Sequence, residues 1–215
     1  MFCDVPMELS PSTKTNSWGM CILSLPKDGF TLIFFNTNKF SVHPPAHSKR
    51  AADFQRTLSF TQHTFYDSKS GKYGTRSGNK ELDVSWSNVP NTKVIMDKIW
   101  HALKKYQTEL DFPWFDRWDG YSTIRYNKYS EDRKMALHAD HIKSLFQGDR
   151  KGIPVLSVLG LLNDDFKGGE FILFDNEIIP FEQGDLLIFP SNFMYPHKVE
   201  PVTQGTRYSY ISWVW

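Results

Sequence analysis

The sequence predicts an α+β chain that is mainly β, an antiparallel sandwich or barrel of the jelly-roll kind with helix packed outside it. Three observations carry this. A single long helical stripe precedes residue 120. Short β-prone runs separated by turn signals follow it. Aromatic residues reach 15% of the chain, many of them within those runs, where β-branched and aromatic side chains suit a pleated, half-buried surface.

Met1 to about Ser24 shows no clear period. Thr31 to Phe35 is an apolar, β-prone run after Asp28-Gly29 and reads as a strand following a turn. Residues 36–90 are polar and punctuated by Gly and Ser, which fits loops with short strands. From Thr92 to Leu110, the residues Val94, Ile95, Ile99, Ala102, Leu103 and Tyr106 recur at helical spacing. They form one stripe, the pattern of a helix that buttresses a sheet. Asn91 after Pro90 offers an N-cap, and Lys104 and Lys105 lie where cations suit the helix dipole. Beyond Gly120 the expected strands are Ser122–Tyr126, Val155–Leu162, Glu170–Phe174, Asp185–Phe189 and Tyr208–Trp215. Gly168-Gly169, Asp175-Asn176 and Gly184-Asp185 supply turns between them. The 215 residues suit a single domain, with 1–118 as N-terminal strands and supporting helices and 119–215 as the β-core.

Bulk composition bounds the function. With 25 basic and 24 acidic residues the net charge is +1, and no basic stripe interleaved with aromatics stands out. Both points argue against a nucleic-acid partner. No apolar run approaches the length of a membrane span, and no basic segment followed by an apolar stretch marks a leader, so a cytoplasmic protein without a membrane partner is expected. Cys3 and Cys21 are the two cysteines, too few for a disulfide framework.

The chemistry is carried by a constellation. His138 and Asp140 are two positions apart, so in extended chain they project to one face. His197 follows 57 residues after Asp140 (197 − 140), room for several strands to return. Two histidines and one carboxylate are the facial triad of non-haem iron(II) oxygenases, which leaves coordination positions open for a chelating cosubstrate and O₂. Arg207 lies ten residues after His197 (207 − 197); a buried arginine grips a carboxylate bidentately and stays charged. Ser209, two further on, shares its face and is placed to donate a hydrogen bond to the same carboxylate. A closed structural zinc site would want a fourth protein ligand, which disfavours the alternative of a non-catalytic, metal-binding, cupin-like module. His141 should point away from the His138 face. His43, His47, His63 and His101 receive no role, Trp213 and Trp215 read as strand packing, and Trp114 and Trp118 read as core packing, with the lining of a substrate entrance as the alternative. Gly168-Gly169-Glu170 reads as a tight turn.

Read in order, Arg125-Tyr126, His138-x-Asp140, Leu161-Leu162-Asn163-Asp164, Gly168-Gly169-Glu170-Phe171, Gly184-Asp185, Phe189-Pro190, His197, Pro201-Val202, Gly205-Thr206-Arg207-Tyr208 and Trp213 resemble the prolyl 4-hydroxylase-like branch of the 2-oxoglutarate/iron(II) dioxygenases. They are also similar to small members encoded by cyanobacterial phages. The resemblance covers roughly residues 120–215.

It implies a double-stranded β-helix core, with flanking N-terminal helices, and an enzyme using Fe(II), 2-oxoglutarate and O₂, with ascorbate as a stimulant. It makes His138, Asp140 and His197 the metal ligands and Arg207 the partner of the distal 2-oxoglutarate carboxylate. Tyr126 is the implied tyrosine at that carboxylate, with Tyr129 as the alternative. Leu161 occupies a cosubstrate-pocket position where some relatives carry a tyrosine hydroxyl. The implied reaction is hydroxylation with release of succinate and CO₂. A protein or peptide substrate, proline first, is implied; a free amino acid or small metabolite is the alternative.

Overall fold

The computed structural model describes residues 12–15, 20–25, 30–36, 57–67, 72–74, 81–110, 120–140, 154–174 and 176–215. Of the residues singled out above, Cys3, Asp28, Gly29, His43, His47, Trp114, Trp118, His141 and Asp175 lie outside these. In chain order the elements are β1 (Ser12–Thr15), β2 (Met20–Leu25), β3 (Phe30–Asn36), β4 (Thr61–Gln62), β5 (Phe65–Asp67), β6 (Lys72–Gly74), β7 (Asp83–Ser85) and α1 (Pro90–Leu110). There follow β8 (Arg125–Tyr129), β9 (Met135–His138), β10 (Leu156–Leu161), β11 (Lys167–Gly168), β12 (Phe171–Leu173), β13 (Glu177–Ile179), β14 (Asp185–Pro190), β15 (His197–Val199), β16 (Val202–Gln204) and β17 (Arg207–Val214).

Two sheets define the architecture. The larger has nine strands in the order β1-β2-β3-β14-β10-β17-β8-β7-β4, and the smaller has four in the order β13-β12-β15-β9. Neighbouring strands pair antiparallel, as in β10 with β17 and β17 with β8. One face of the large sheet packs on α1 through Ile95, Ile99, Leu103, Ile124, Val158, Ile188 and Val214. The other meets the small sheet through Leu159, Leu187, Phe189 and Ile211 against Phe171, Leu173 and Val199. This explains why Leu156–Leu161 is buried along its whole length. A strand covered on both faces reads as a continuous apolar run and not as an alternation.

Local sequence accounts for the elements, with some shifts. The helix begins two residues earlier than its stripe. Pro90 takes the first helical position, where its missing N–H costs nothing. Thr92 Oγ1 accepts the Val89 N–H at 3.1 Å, and Thr92 N donates to Val89 O at 2.8 Å, so Val89 and not Asn91 is the cap. Val94 falls outside the buried stripe and is 45% exposed. The first core strand is Arg125–Tyr129 instead of Ser122–Tyr126, because its register is set by pairing with β17 rather than by local propensity. The unpatterned N-terminal stretch contains β1 and β2, joined to the sheet through β3. Among the described residues no helix is long and apolar enough to cross a membrane.

Gly160 faces Tyr210 across β10 and β17. A Cβ at Gly160 would lie 2.0 Å from Tyr210 Cζ, and Tyr210 is buried. Gly160→Ala should therefore destabilise the protein by ~1–3 kcal/mol, the usual cost of overpacking a tight core; urea denaturation of the two proteins checks this. A second effect sits at the start of β14, where burial and the nearby Glu182 charge push Asp185 up to about 6 against the Glu182 N–H that opposes the shift. A carboxyl raised in the folded state contributes stability that is present below its ordinary value and lost as pH rises through about 6. The melting temperature of Asp185→Asn relative to wild type should rise between about pH 4 and 7, and a flat difference would remove Asp185 from the pH dependence.

Candidate active site

The trio that could hold a metal ion, His138, Asp140 and His197, is assembled at the small sheet. His138 ends β9 and His197 begins β15, and the two are register partners. Their rings lie 4.3 Å apart at 57°. Asp140 follows two residues after β9, and its Oδ1 is 3.5 Å from His138 Nε2 and 3.7 Å from His197 Nε2. The potential ligand atoms of all three lie within 4.8 Å of one another.

Each imidazole is oriented by its other nitrogen. His138 Nδ1 is 2.8 Å from Ala136 O, and His197 Nδ1 is 3.1 Å from Tyr195 O. A carbonyl only accepts, so both Nδ1 atoms carry the proton and both Nε2 lone pairs face Asp140. This is the support that metal-binding histidines need. Burial lowers the His197 pKa to about 4, with the neighbouring His138 adding to the shift and Asp140 opposing it, which keeps the ring in its neutral, ligating form near neutrality. Burial alone would raise Asp140, but His197, His138 and the Ser157 hydroxyl hold it well below the usual carboxylate range. Phe171 and Phe189 pack on the His197 ring at 5.4 and 5.1 Å. Two imidazoles and one carboxylate at this spacing fit a divalent iron with open positions.

Three supporting residues were not foreseen. Ser157 donates to Asp140 Oδ2 at 2.5 Å and lies 2.7 Å from the Ser191 hydroxyl. Buried Glu81 accepts the Ala136 N–H with both carboxylate oxygens at 3.2 and 3.3 Å. It thereby holds the residue whose carbonyl orients His138. Ser157 had a signal in the sequence, as a polar residue inside the apolar run Val155–Leu162. Glu81 had none, since its partner is 55 residues away.

Arg207 opens β17 and is 1% exposed. Its Nη1 donates to Ser209 Oγ at 3.1 Å, and its guanidinium lies 5.1 Å over the Tyr129 ring. Among the described residues no carboxylate pairs with it. Burial pulls its pKa down and Tyr129 opposes this, yet an arginine starts so high that it remains a cation. A buried cation without a protein anion is costly. The chain makes room for it. Gly169 has φ +68, and a Cβ there would approach Arg207 Cδ to 3.0 Å. Asn163 anchors the strand start, donating to Thr206 O at 2.7 Å and accepting Tyr208 N–H at 2.7 Å.

The tyrosine expected at the anion site is displaced. Tyr126 lies on the helix side of the large sheet, with its hydroxyl 3.0 Å from Thr92 Oγ1. Tyr126 and Tyr129 are three apart on β8 and face opposite sides, and register places Tyr129, not Tyr126, opposite Arg207. Leu161 pairs with Ser209 and also borders a cleft lined by Asp164, Phe166, Phe181, Glu182 and Gln183, which contains none of the metal-ligand trio.

Ser157→Ala and Glu81→Ala should each weaken iron binding by about 10-fold or more, the usual effect of removing a partner that orients a ligand. Competition against a chromogenic chelator measures this, and unchanged affinity in either variant would make that residue structural only.

Residues 124–215 match the family described as the 2OG-Fe(II) oxygenase superfamily. A PKHD-type hydroxylase of Idiomarina loihiensis is 35% identical over 94 residues, covering 42% of this chain and 41% of that protein. The human procollagen-lysine,2-oxoglutarate 5-dioxygenase 2 is 25% identical over 157 residues, 66% of this chain and 20% of that protein. The chain thus spans about two fifths of the PKHD-type relative's length, or less for the human one. Among solved structures, a Trichoplax adhaerens prolyl hydroxylase in complex with a hypoxia inducible factor peptide superposes with a TM-score of 0.59 at 16% identity, covering 93% of this chain and 84% of that one. A viral collagen prolyl hydroxylase from Paramecium Bursaria Chlorella virus-1, in its 2OG complex, gives 0.51 at 15% identity, covering 63% and 79%. At these identities the likeness concerns the fold, the antiparallel core that these oxygenases share. Residues 124–215 are therefore similar in sequence to the 2OG-Fe(II) oxygenase superfamily, and the antiparallel core has the fold of these solved structures.

Proposed function

We propose that this protein is an Fe(II)- and 2-oxoglutarate-dependent hydroxylase acting on a peptidyl residue, proline first. His138, Asp140 and His197 hold the iron, and Arg207 with Ser209 and Tyr129 holds the distal carboxylate of 2-oxoglutarate. The observation that carries this reading is the pairing of two sites inside one sandwich: a trio able to hold a metal ion and a buried arginine without a protein anion. A ligand with a metal-chelating end and a distal carboxylate suits both. The peptidyl-proline preference draws on the prolyl hydroxylases among the structural neighbours, one of them in complex with a peptide.

The bound iron and cosubstrate supply the oxidising chemistry, with O₂ consumed and succinate and CO₂ released. The chain's own contribution is positional. The Nδ1–H bonds of the two histidines fix their ring planes. Ser157 leaves Asp140 Oδ1 directed at both imidazoles by engaging Oδ2. Arg207 offers a charged, pre-oriented donor pair, which loses little freedom on binding a carboxylate because Ser209 and the Tyr129 ring already hold it.

Purified protein supplied with Fe(II), ascorbate, 2-oxoglutarate and O₂ should form succinate, and proline-containing peptides should raise the rate and gain one oxygen atom. Asp140→Ala should abolish iron-dependent succinate formation. Arg207→Gln should raise the 2-oxoglutarate requirement by about 10-fold or more, the order of magnitude for losing a charge-assisted bidentate contact, with iron binding retained. Succinate formation by Asp140→Ala at the wild-type rate, or an unchanged 2-oxoglutarate requirement in Arg207→Gln, would overturn the corresponding assignment.

A further inference from the structure

A second arginine faces the same interior. Arg125 opens β8 and pairs with Ile211 of β17, on the strand face that also carries Asn127 and Tyr129. Its Nε donates to Asn127 Oδ1 at 3.0 Å, and its Nη1 lies 3.4 Å from His63 Nε2. Among the described residues it has no carboxylate partner. Its guanidinium sits 5.1 Å over the ring of Trp213, whose buried indole Nε1–H has no hydrogen-bond partner. Beyond Trp213 stands Trp86, 57% exposed, with its ring 6.4 Å from that of Trp213. Arginine, two indoles, an amide and an imidazole thus lie close together, from exposed Trp86 to the inward face of β17.

The register relates this cluster to the metal-ligand trio. Trp213 is the cross-strand partner of Ser157, the residue that donates to Asp140. On β17, Arg207 and Ser209 lie towards one end of the inward face, and Ile211 and Trp213 towards the other. Arg207 and Arg125 therefore flank the interior from different rows. If 2-oxoglutarate extends from Arg207 to the metal, the space beside Arg125 and Trp213 is left for the molecule to be oxidised.

We propose that Arg125, with the Trp213 indole N–H, forms a substrate subsite that receives a carboxylate, making Arg125 a specificity-determining residue for an anionic substrate. This inference rests on the oxygenase reading given above. The guanidinium and the orphaned indole N–H are hydrogen-bond donors without a protein anion, and a carboxylate takes up both. A free amino acid or a peptide presenting a terminal or side-chain carboxylate supplies that chemistry. Trp86 and Trp213 offer the apolar surface for the rest of the molecule.

The test separates binding from turnover. Wild type and Arg125→Gln, loaded with Mn(II) and 2-oxoglutarate under anaerobic conditions, are titrated by calorimetry. The ligands are L-proline, L-lysine, their carboxamides, and proline peptides ending in an acid or an amide or carrying an internal aspartate. At least one acid should bind wild type tenfold or more tightly than its amide. That preference should vanish in Arg125→Gln and be partly kept in Arg125→Lys, while affinity for 2-oxoglutarate moves less than threefold. Whether the free amino acids or the peptides show the preference identifies the source of the carboxylate. The proposal is overturned if no acid binds wild type, if amides bind equally well, if the preference survives in Arg125→Gln, or if 2-oxoglutarate affinity falls as it does in Arg207→Gln. Failure of 2-oxoglutarate to bind wild type would instead overturn the oxygenase reading itself.

Discussion

Strand β17 lies between β10 and β8, and its register against both decides which side chains meet inside the sandwich. The pairings Ser157 with Trp213, Leu159 with Ile211 and Leu161 with Ser209 on one side, and Tyr129 with Arg207 on the other, place Arg207, Ser209, Ile211 and Trp213 on the inward face. A slip of one residue would turn all four outward and bring Tyr208, Tyr210 and Ser212 in. Gly160, whose missing Cβ makes room for Tyr210, and Asn163, which grips both sides of the Thr206–Tyr208 turn into β17, hold that register. Both lie at positions where no apolar side chain would serve.

The metal-ligand trio is a polar island between apolar layers, and its cohesion comes from satisfied hydrogen bonds. Each imidazole has one nitrogen on a backbone carbonyl, Asp140 has one oxygen on Ser157, and Ser157 reaches on to Ser191. Glu81 carries the same logic outward by bonding the Ala136 amide. Such networks are costly when partly satisfied and rigid when complete. Here the remaining unshared lone pairs, the two Nε2 atoms and Asp140 Oδ1, converge on one small volume, which is the requirement for a divalent cation.

The positive groups tell the complementary story. Arg207 and Arg125 each lie on the interior face, and among the described residues neither is ion-paired with a carboxylate; serine and tyrosine neighbour one, and asparagine, histidine and tryptophan the other. Neutral partners orient a guanidinium without cancelling its charge. On the proposed reading, anions that occupy the two positions would stabilise the folded state by mass action.

Much of this was legible in the primary structure because it depends on short-range periodicity or on residue chemistry. The α1 stripe, the β10 and β14 runs, the His138-x-Asp140 spacing and the presence of His197 and Arg207 required only side-chain type and order. The cap on α1 was misplaced by two residues because Thr92 satisfies Val89 through a side chain that also binds Tyr126. Tertiary structure alone decided that Tyr129 and not Tyr126 meets Arg207, since a choice between faces depends on which strand β8 pairs with and in what register. It also brought Ser157 to Asp140, Glu81 to Ala136 and Arg125 to His63, which are 17, 55 and 62 residues apart in the chain. Ligands declare themselves by chemical type, whereas the groups that orient them are ordinary residues made specific only by the contacts that long-range pairing brings together.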